Sequence, residues 1–152
     1  MSDQEQRHQA KHFVLDTNVI LHDPTCLQQF QEHNIVIPLA VIEEIDHFKR
    51  GSQVSNLHAR AFSRTLDALI GKASFHGGVP LGGNKGTIKI VLTRGVSEAI
   101  QHIFRDDTTD HRVLSVVWEL SQQKRTKAQI ILVSKDVNLR MKAKALGLQA
   151  ED

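Results

Sequence analysis

Cysteine is almost missing from this chain: Cys26 stands alone. A single thiol builds neither a disulfide framework nor a cysteine-based zinc site, and it fits a reducing, cytoplasmic setting. Tyrosine is absent, tryptophan occurs once and phenylalanine six times. With most phenylalanines inside apolar patterns, platforms for stacking nucleobases are scarce, and base-specific reading of a nucleic acid is not expected. Trp118 reads as a core or dimer-contact residue. No apolar run approaches the ~18 residues of a membrane span. The polar opening, Ser2-Asp3-Gln4-Glu5-Gln6, does not resemble a signal peptide. An excess of one charge is lacking too, with 19 Lys and Arg against 17 Asp and Glu. That balance is too even to argue for a nucleic-acid partner by itself. Nine histidines occur without a His-Glu-x-x-His pattern. His8 and His12 are four apart but lie in or beside a polar tail, so no zinc site is expected.

What is present is the composition of an ordinary globular domain, 40% hydrophobic and 24% charged over 152 residues. Residues 1–11 carry no apolar periodicity and read as a solvated tail, leaving 12–152 as one domain. Three short runs within it are almost wholly apolar: His12 to Asp16, Ile35 to Pro38 and Ile130 to Ser134. Continuous rather than alternating runs predict strands covered on both faces, as in a parallel sheet. Between them the apolar spacing predicts helices over Ala40–Arg50, Val54–Lys72, Thr109–Gln123 and Val137–Leu146. Gly71 and Gly147 stand as stops. In Val54–Lys72 the apolar stripe comprises Leu57, Ala61, Leu66, Leu69 and Ile70. Strand and helix in alternation predict an α/β fold, a three-layer α/β/α arrangement with a mainly parallel central sheet. Residues 74–93 interrupt the rhythm as a glycine-rich loop, with glycines at 77, 78, 82, 83 and 86, feeding a strand over Thr87–Val91 that reads as one arm of a hairpin. The loop has no Gly-Lys-Ser/Thr and no helical pattern after it, which argues against a phosphate-binding loop.

Four carboxylates stand at element ends. Asp16 closes the first strand and Asp136 follows the last apolar run, and in an open α/β sheet ligands bind beyond the carboxyl ends of the strands. Each is also a good N-cap or turn residue. In Ala40–Arg50, a helical wheel at ~100° per residue puts Glu43 opposite the apolar face and Glu44 at its border. Glu43 and Asp46 therefore read as solvated, whereas Glu44 needs a reason to approach the interior. Asp110 sits in a first helical turn, where it complements the dipole, yet on the stripe of Val113 and Leu114. Asp106 belongs to the helix entry or to solvent. Gathered on one rim, four carboxylates resist ionising together. A hard divalent cation removes that conflict, and oxygen-only ligands favour Mg²⁺ or Mn²⁺.

The stretches holding these residues resemble the motifs of the PIN-domain nucleases, most of all the PIN domain that precedes the ATPase in PhoH-like proteins. Val14-Leu15-Asp16-Thr17-Asn18-Val19 is similar to the opening motif. Val36 through Asp46 is similar to the second, in which the second glutamate is the functional one. Thr109-Asp110-His111-Arg112-Val113-Leu114 is similar to the third, and Ile131 through Arg140 to the fourth. The likeness covers about residues 12 to 150. It implies a metal-binding acidic set of Asp16, Glu44, Asp110 and Asp136, with hydrogen-bonding support from Thr17, Asn18, Ser134 and Asn138. Asp16 and Asp136 would hold the principal ion with Asp110 completing its shell, and Glu44 would serve a second ion or orient water.

The activity implied is Mg²⁺- or Mn²⁺-dependent hydrolysis of single-stranded RNA. Lys49, Arg50, Arg60, Arg64 and Arg140, the last crowded by Lys142 and Lys144, are either phosphate-tracking groups or solvated helix faces. His111 departs from related PhoH-type sequences, which often carry an aspartate there; it either ligates Mn²⁺ or faces solvent. The PhoH-type ATPase is not in this sequence, so the domain is either excised or free-standing. PIN relatives often dimerise, which leaves a homo-oligomer open. The alternative function is a non-catalytic PIN-fold module that binds RNA or a partner and regulates an attached ATPase. An aspartyl phosphotransferase using Asp16 is weaker, because Asn18 stands where such enzymes want a second aspartate.

Overall fold

A computed structural model of the chain describes residues 10–71, 78–92, 95–123 and 128–152. Most of the polar tail with His8, Lys72 at the expected end of the second helix, and residues 74–77 and 93 of the glycine-rich segment lie outside the described residues.

Six strands form one sheet: β1 (His12–Leu15), β2 (Asn34–Pro38), β3 (Val79–Pro80), β4 (Thr87–Val91), β5 (Ile130–Val133) and β6 (Gln149–Glu151), in the order β3-β4-β2-β1-β5-β6. Every neighbouring pair is parallel except β3 with β4, where Val79 opposes Ile88 and Pro80 opposes Thr87. The expected hairpin arm Thr87–Val91 is thus β4, and its partner arm is the short β3. Gly86 in its turn has no substitute, because a Cβ there would overlap the His33 carbonyl. Phe13, Val14 and Leu15, Ile35, Val36 and Ile37, and all of β5 are buried at successive positions. Successive side chains point to opposite faces, so helices cover both sides and the architecture has three layers.

The helices are α1 (Thr17–His22), α2 (Leu39–His47), α3 (Val54–Ile70), α4 (Glu98–Ile103), α5 (Thr109–Gln122) and α6 (Val137–Ala145). Helix α1 packs on α3, α2 packs on α5, and α5 lies across β1, β2 and β5. Two expectations need correction. Helix α2 stops at His47, three residues short of the expected end at Arg50. Its trailing carbonyls are taken by α3: Asn56 Nδ2 donates to Phe48 O at 2.8 Å, and the Arg60 guanidinium donates to the carbonyls of Lys49 and Gly51. In α3 the buried face is Ala59, Phe62 and Leu66, while Leu57 is 50% exposed. The packing of α1 and α2 chooses the Phe62 side of a helix that has apolar residues on more than one face.

Candidate active site at the carboxyl edge of the sheet

The chain leaves β1 for β2 on one side and later returns to place β5 on the other. The gap between β1 and β5 is therefore the topological switch point, where a crevice opens beyond the strand ends. Leu15 opposes Val133, and the next residues along, Asp16 and Ser134, meet there. The Asp16 amide continues the ladder by donating to Val133 O at 3.0 Å.

Asp16 is only 3% exposed. Its Oδ1 accepts the Thr17 amide at 2.8 Å as the N-cap of α1, and its Oδ2 accepts the Ser134 hydroxyl at 2.8 Å. Burial pushes the Asp16 carboxyl up to about 6, against the pull of those two hydrogen bonds. The charges of Asp110 and Glu44 raise it further.

Ser134 is fully buried and faces both ways: its oxygen also accepts the Asp136 amide at 3.0 Å. Asp136 in turn caps α6, its Oδ1 accepting the amides of Asn138 at 2.8 Å and Leu139 at 3.3 Å. Asp110 is half-buried in the first turn of α5, behind Thr108, whose hydroxyl accepts the His111 amide at 3.2 Å. Burial raises the Asp110 carboxyl, and the charges of Asp136 and Glu44 add to this, while Lys142 and His111 work against it. Glu44 is half-buried on α2, and Glu43 and Asp46 are exposed, as the helical wheel predicts. The four carboxylates therefore share one electrostatic neighbourhood: Asp16 feels Asp110 and Glu44, and Asp110 feels Asp136 and Glu44.

The supporting residues divide. Ser134 acts through its hydroxyl, while Thr17 and Asn138 act through their amides. Asn18 is exposed and has no side-chain hydrogen bond among the described residues. Thr17 Oγ1 is buried beside Asp16 without a hydrogen-bond partner, a state native structures seldom leave uncompensated.

His111 neither faces solvent nor joins the carboxylates. It is 6% exposed, stacked on Phe104 with ring centroids 5.0 Å apart, and its Nδ1 donates to Asp106 O at 2.6 Å. Of the basic residues, Arg60 and Arg140 are occupied by backbone: Arg60 as above, and Arg140 Nη1 by Ser134 O at 2.6 Å. Arg50 and Arg64 are exposed, and Lys49 pairs with Asp46 at 3.2 Å. Lys49 and Arg64 rim a hollow of about 600 Å³ floored by Ile45, Phe62 and Leu66. Trp118 is partly buried against the core.

The donor set suits a hard divalent cation in kind. It is all oxygen, partly desolvated, and carries a like-charge conflict that a cation would relieve. As the side chains stand, no three His, Cys, Asp or Glu residues among those described close around one point.

Comparison with known proteins agrees with the fold and with the family resemblance. The family model described as PIN domain matches residues 13–152. Protein PhoH2 of Bacillus subtilis (strain 168) is 44% identical over 146 residues, covering 94% of this chain and 33% of that protein. Protein PhoH2 of Mycolicibacterium smegmatis is 33% identical over 140 residues, covering 92% of this chain and 31% of its own length. The chain thus spans about a third of the length of the curated relatives it matches. Among solved structures, a domain of a functionally unknown protein from Methanocaldococcus jannaschii aligns with a TM-score of 0.54 at 24% identity. That alignment covers 93% of this chain and 90% of the other, and shows a shared fold.

Proposed function

The chain belongs to the PIN domain family, and from that premise we propose that it is a ribonuclease that hydrolyses phosphodiester bonds of single-stranded RNA with Mg²⁺ or Mn²⁺. The observation that carries this reading is that four carboxylates from four segments are linked through their charges, Asp16 to Asp110 and Glu44 and Asp110 to Asp136 and Glu44, beside the switch point of the sheet. Capping α1 does not require Asp16 to sit where burial and two like charges raise its carboxyl to about 6; holding a cation does.

In this reading residues 12–152 form one domain, and Asp16, Asp110 and Asp136, with Glu44 beside them, hold the ion. When bound, such an ion lowers the pKa of water and neutralises charge on the phosphate. The chain's own part is preorganisation. Ser134 fixes the orientation of the Asp16 carboxylate and the approach of the Asp136 backbone at once. The α1 and α6 N-caps lock the Asp16 and Asp136 side chains, so little rotamer entropy remains to be lost on binding. Glu44 and Asp110, half-buried and without ion-pair partners among the described residues, are free to turn toward the ion and to accept a proton from attacking water.

The test is cleavage of a single-stranded RNA with Mn²⁺ or Mg²⁺, with and without chelator, by the unsubstituted chain and by Asp16→Asn. Metal-dependent cleavage lost in the variant is the expected result, and equal cleavage by both ends the proposal. The carboxylates do not close around one point among the described residues, which favours as second reading a non-catalytic PIN-fold module that binds RNA or a partner beside an attached ATPase. RNA left intact after prolonged incubation with metal, together with salt-sensitive binding, selects it.

A further inference from the structure

Among the described residues, a cation stands near the acidic rim that neither pairs with a carboxylate nor serves a backbone carbonyl. Lys142, in the last turn of α6, puts its ammonium 3.2 Å from Nε2 of His111 and 5.3 Å from the centroid of the Phe104 ring. Asp106 O can only accept, so the hydrogen between it and His111 lies on Nδ1, and Nε2 turns a lone pair to the ammonium. Neither partner of Lys142 brings a negative charge to it. Elsewhere on the surface Lys49 pairs with Asp46 at 3.2 Å and Lys135 with Asp152 at 3.0 Å. Among the described residues Lys142 has no such partner, although Asp110 lies within reach of its field. A helix end needs no such arrangement, since Lys144 in the same turn is exposed and serves the dipole as well.

We infer that Lys142 is a positioning residue that holds a non-bridging phosphate oxygen of the RNA backbone at the edge of the acidic site. This rests on the ribonuclease reading. An ammonium has three donors in a flexible stem's reach, and here His111 takes one and the Phe104 face draws on the charge without using a hydrogen. At least one N–H remains for an anion. The stacked Phe104–His111 pair removes the rotamer freedom a surface lysine would otherwise lose on binding, so the contact is made by a preplaced group. The need is specific to this rim: carboxylates repel an approaching phosphodiester, and a cation held on His111, the residue after Asp110, offsets that repulsion before any catalytic step.

The experiment measures binding of a fluorescent single-stranded oligoribonucleotide in chelator, where no cleavage occurs, across a salt series for the unsubstituted chain, Lys142→Met and Lys142→Arg. Lys142→Met is expected to weaken binding about tenfold, as loss of one charge-assisted hydrogen bond would. It should also flatten the log–log salt slope by about 0.7, one single-strand phosphate contact. Lys142→Arg should keep most of both. With Mn²⁺ added, Lys142→Met should raise KM more than it lowers kcat. Unchanged affinity and slope in a Lys142→Met protein that melts normally overturn the inference, as does an unsubstituted chain that does not bind the oligomer. If Lys142→Met weakens binding while no preparation cleaves RNA, the phosphate contact stands and the ribonuclease reading falls. Asp16-dependent cleavage with binding indifferent to Lys142 has the opposite meaning.

Discussion

Ser134 Oγ donates to Oδ2 of Asp16 at 2.8 Å across a sequence separation of 118 residues. The same oxygen receives the Asp136 amide, so one buried hydroxyl ties the end of β1 to the cap of α6. Ser134→Ala would strand Asp16 Oδ2 and the Asp136 amide without a partner in a dry place. The expected cost is about 1–3 kcal/mol of stability, read by urea unfolding. A larger drop in RNA cleavage than in stability would separate orientation of the carboxylate from scaffolding.

Asp16 makes stability depend on pH in a definite direction. Its carboxyl moves from the ordinary 3.8 to about 6 on folding, so the folded chain binds the proton more tightly than the unfolded one. That contribution is fully present below 3.8 and is lost as pH rises through about 6. At about 1.4 kcal/mol per tenfold it amounts to roughly 3 kcal/mol. Asp110, raised also by burial first and then by Asp136 and Glu44, adds with the same sign. In chelator, Asp16→Asn should therefore gain stability over the unsubstituted chain as pH climbs from 4 to 7. A pH-independent difference between the two would contradict the assignment.

Divalent cations should reverse that penalty. Mn²⁺ or Mg²⁺ binding the folded state alone raises the melting temperature by mass action. The response should be larger at pH 7 than at pH 5, where protons compete for Asp16, and smaller in Asp16→Asn. Thermal melts over a metal titration measure it; no shift at millimolar metal counts against the metal site.

The two arginines of α3 should behave differently. Arg60 holds the carbonyls of Lys49 and Gly51, so Arg60→Met should lose about 1–3 kcal/mol of stability. Arg64 is exposed at the rim of the hollow beside α2, so Arg64→Met should melt within about 0.5 kcal/mol of the parent and reveal itself only in RNA affinity.

Gly86 should accept no side chain. A Cβ there overlaps the His33 carbonyl, so Gly86→Ala must move the β3–β4 turn away from the start of β2. A loss of about 1–3 kcal/mol is expected, in line with other overpacked sites, measured by chemical unfolding.

The central strands were legible in the chain because a parallel strand buried on both faces has to be a continuous apolar run. The helices were legible because one stripe has to be. Short elements escaped that logic. Thr17–His22 is too brief to show a period, and its Val19-Ile20-Leu21 is buried throughout. Gln149–Glu151 is a polar edge strand with no apolar signature, held by pairing with β5. Glu44 could be told from Glu43 by angle alone. His111 could not be placed from spacing, since its burial depends on Phe104, which lies outside its own helix, and on Lys142 from another.

Local chemistry along the chain thus set the α/β class, the strand ends at which Asp16 and Asp136 stand, and the face of each helix that carries an acid. The folded arrangement alone decided that Ser134 joins two of those acids, that Arg60 and Arg140 serve backbone carbonyls, and that Lys142 sits on His111, the residue after Asp110. Hydrophobic periodicity acts over a few residues and records which side of an element turns inward. Side-chain partners follow instead from the order in which strands pair, and β1 lies between β2 and β5 because of the packing of the whole domain.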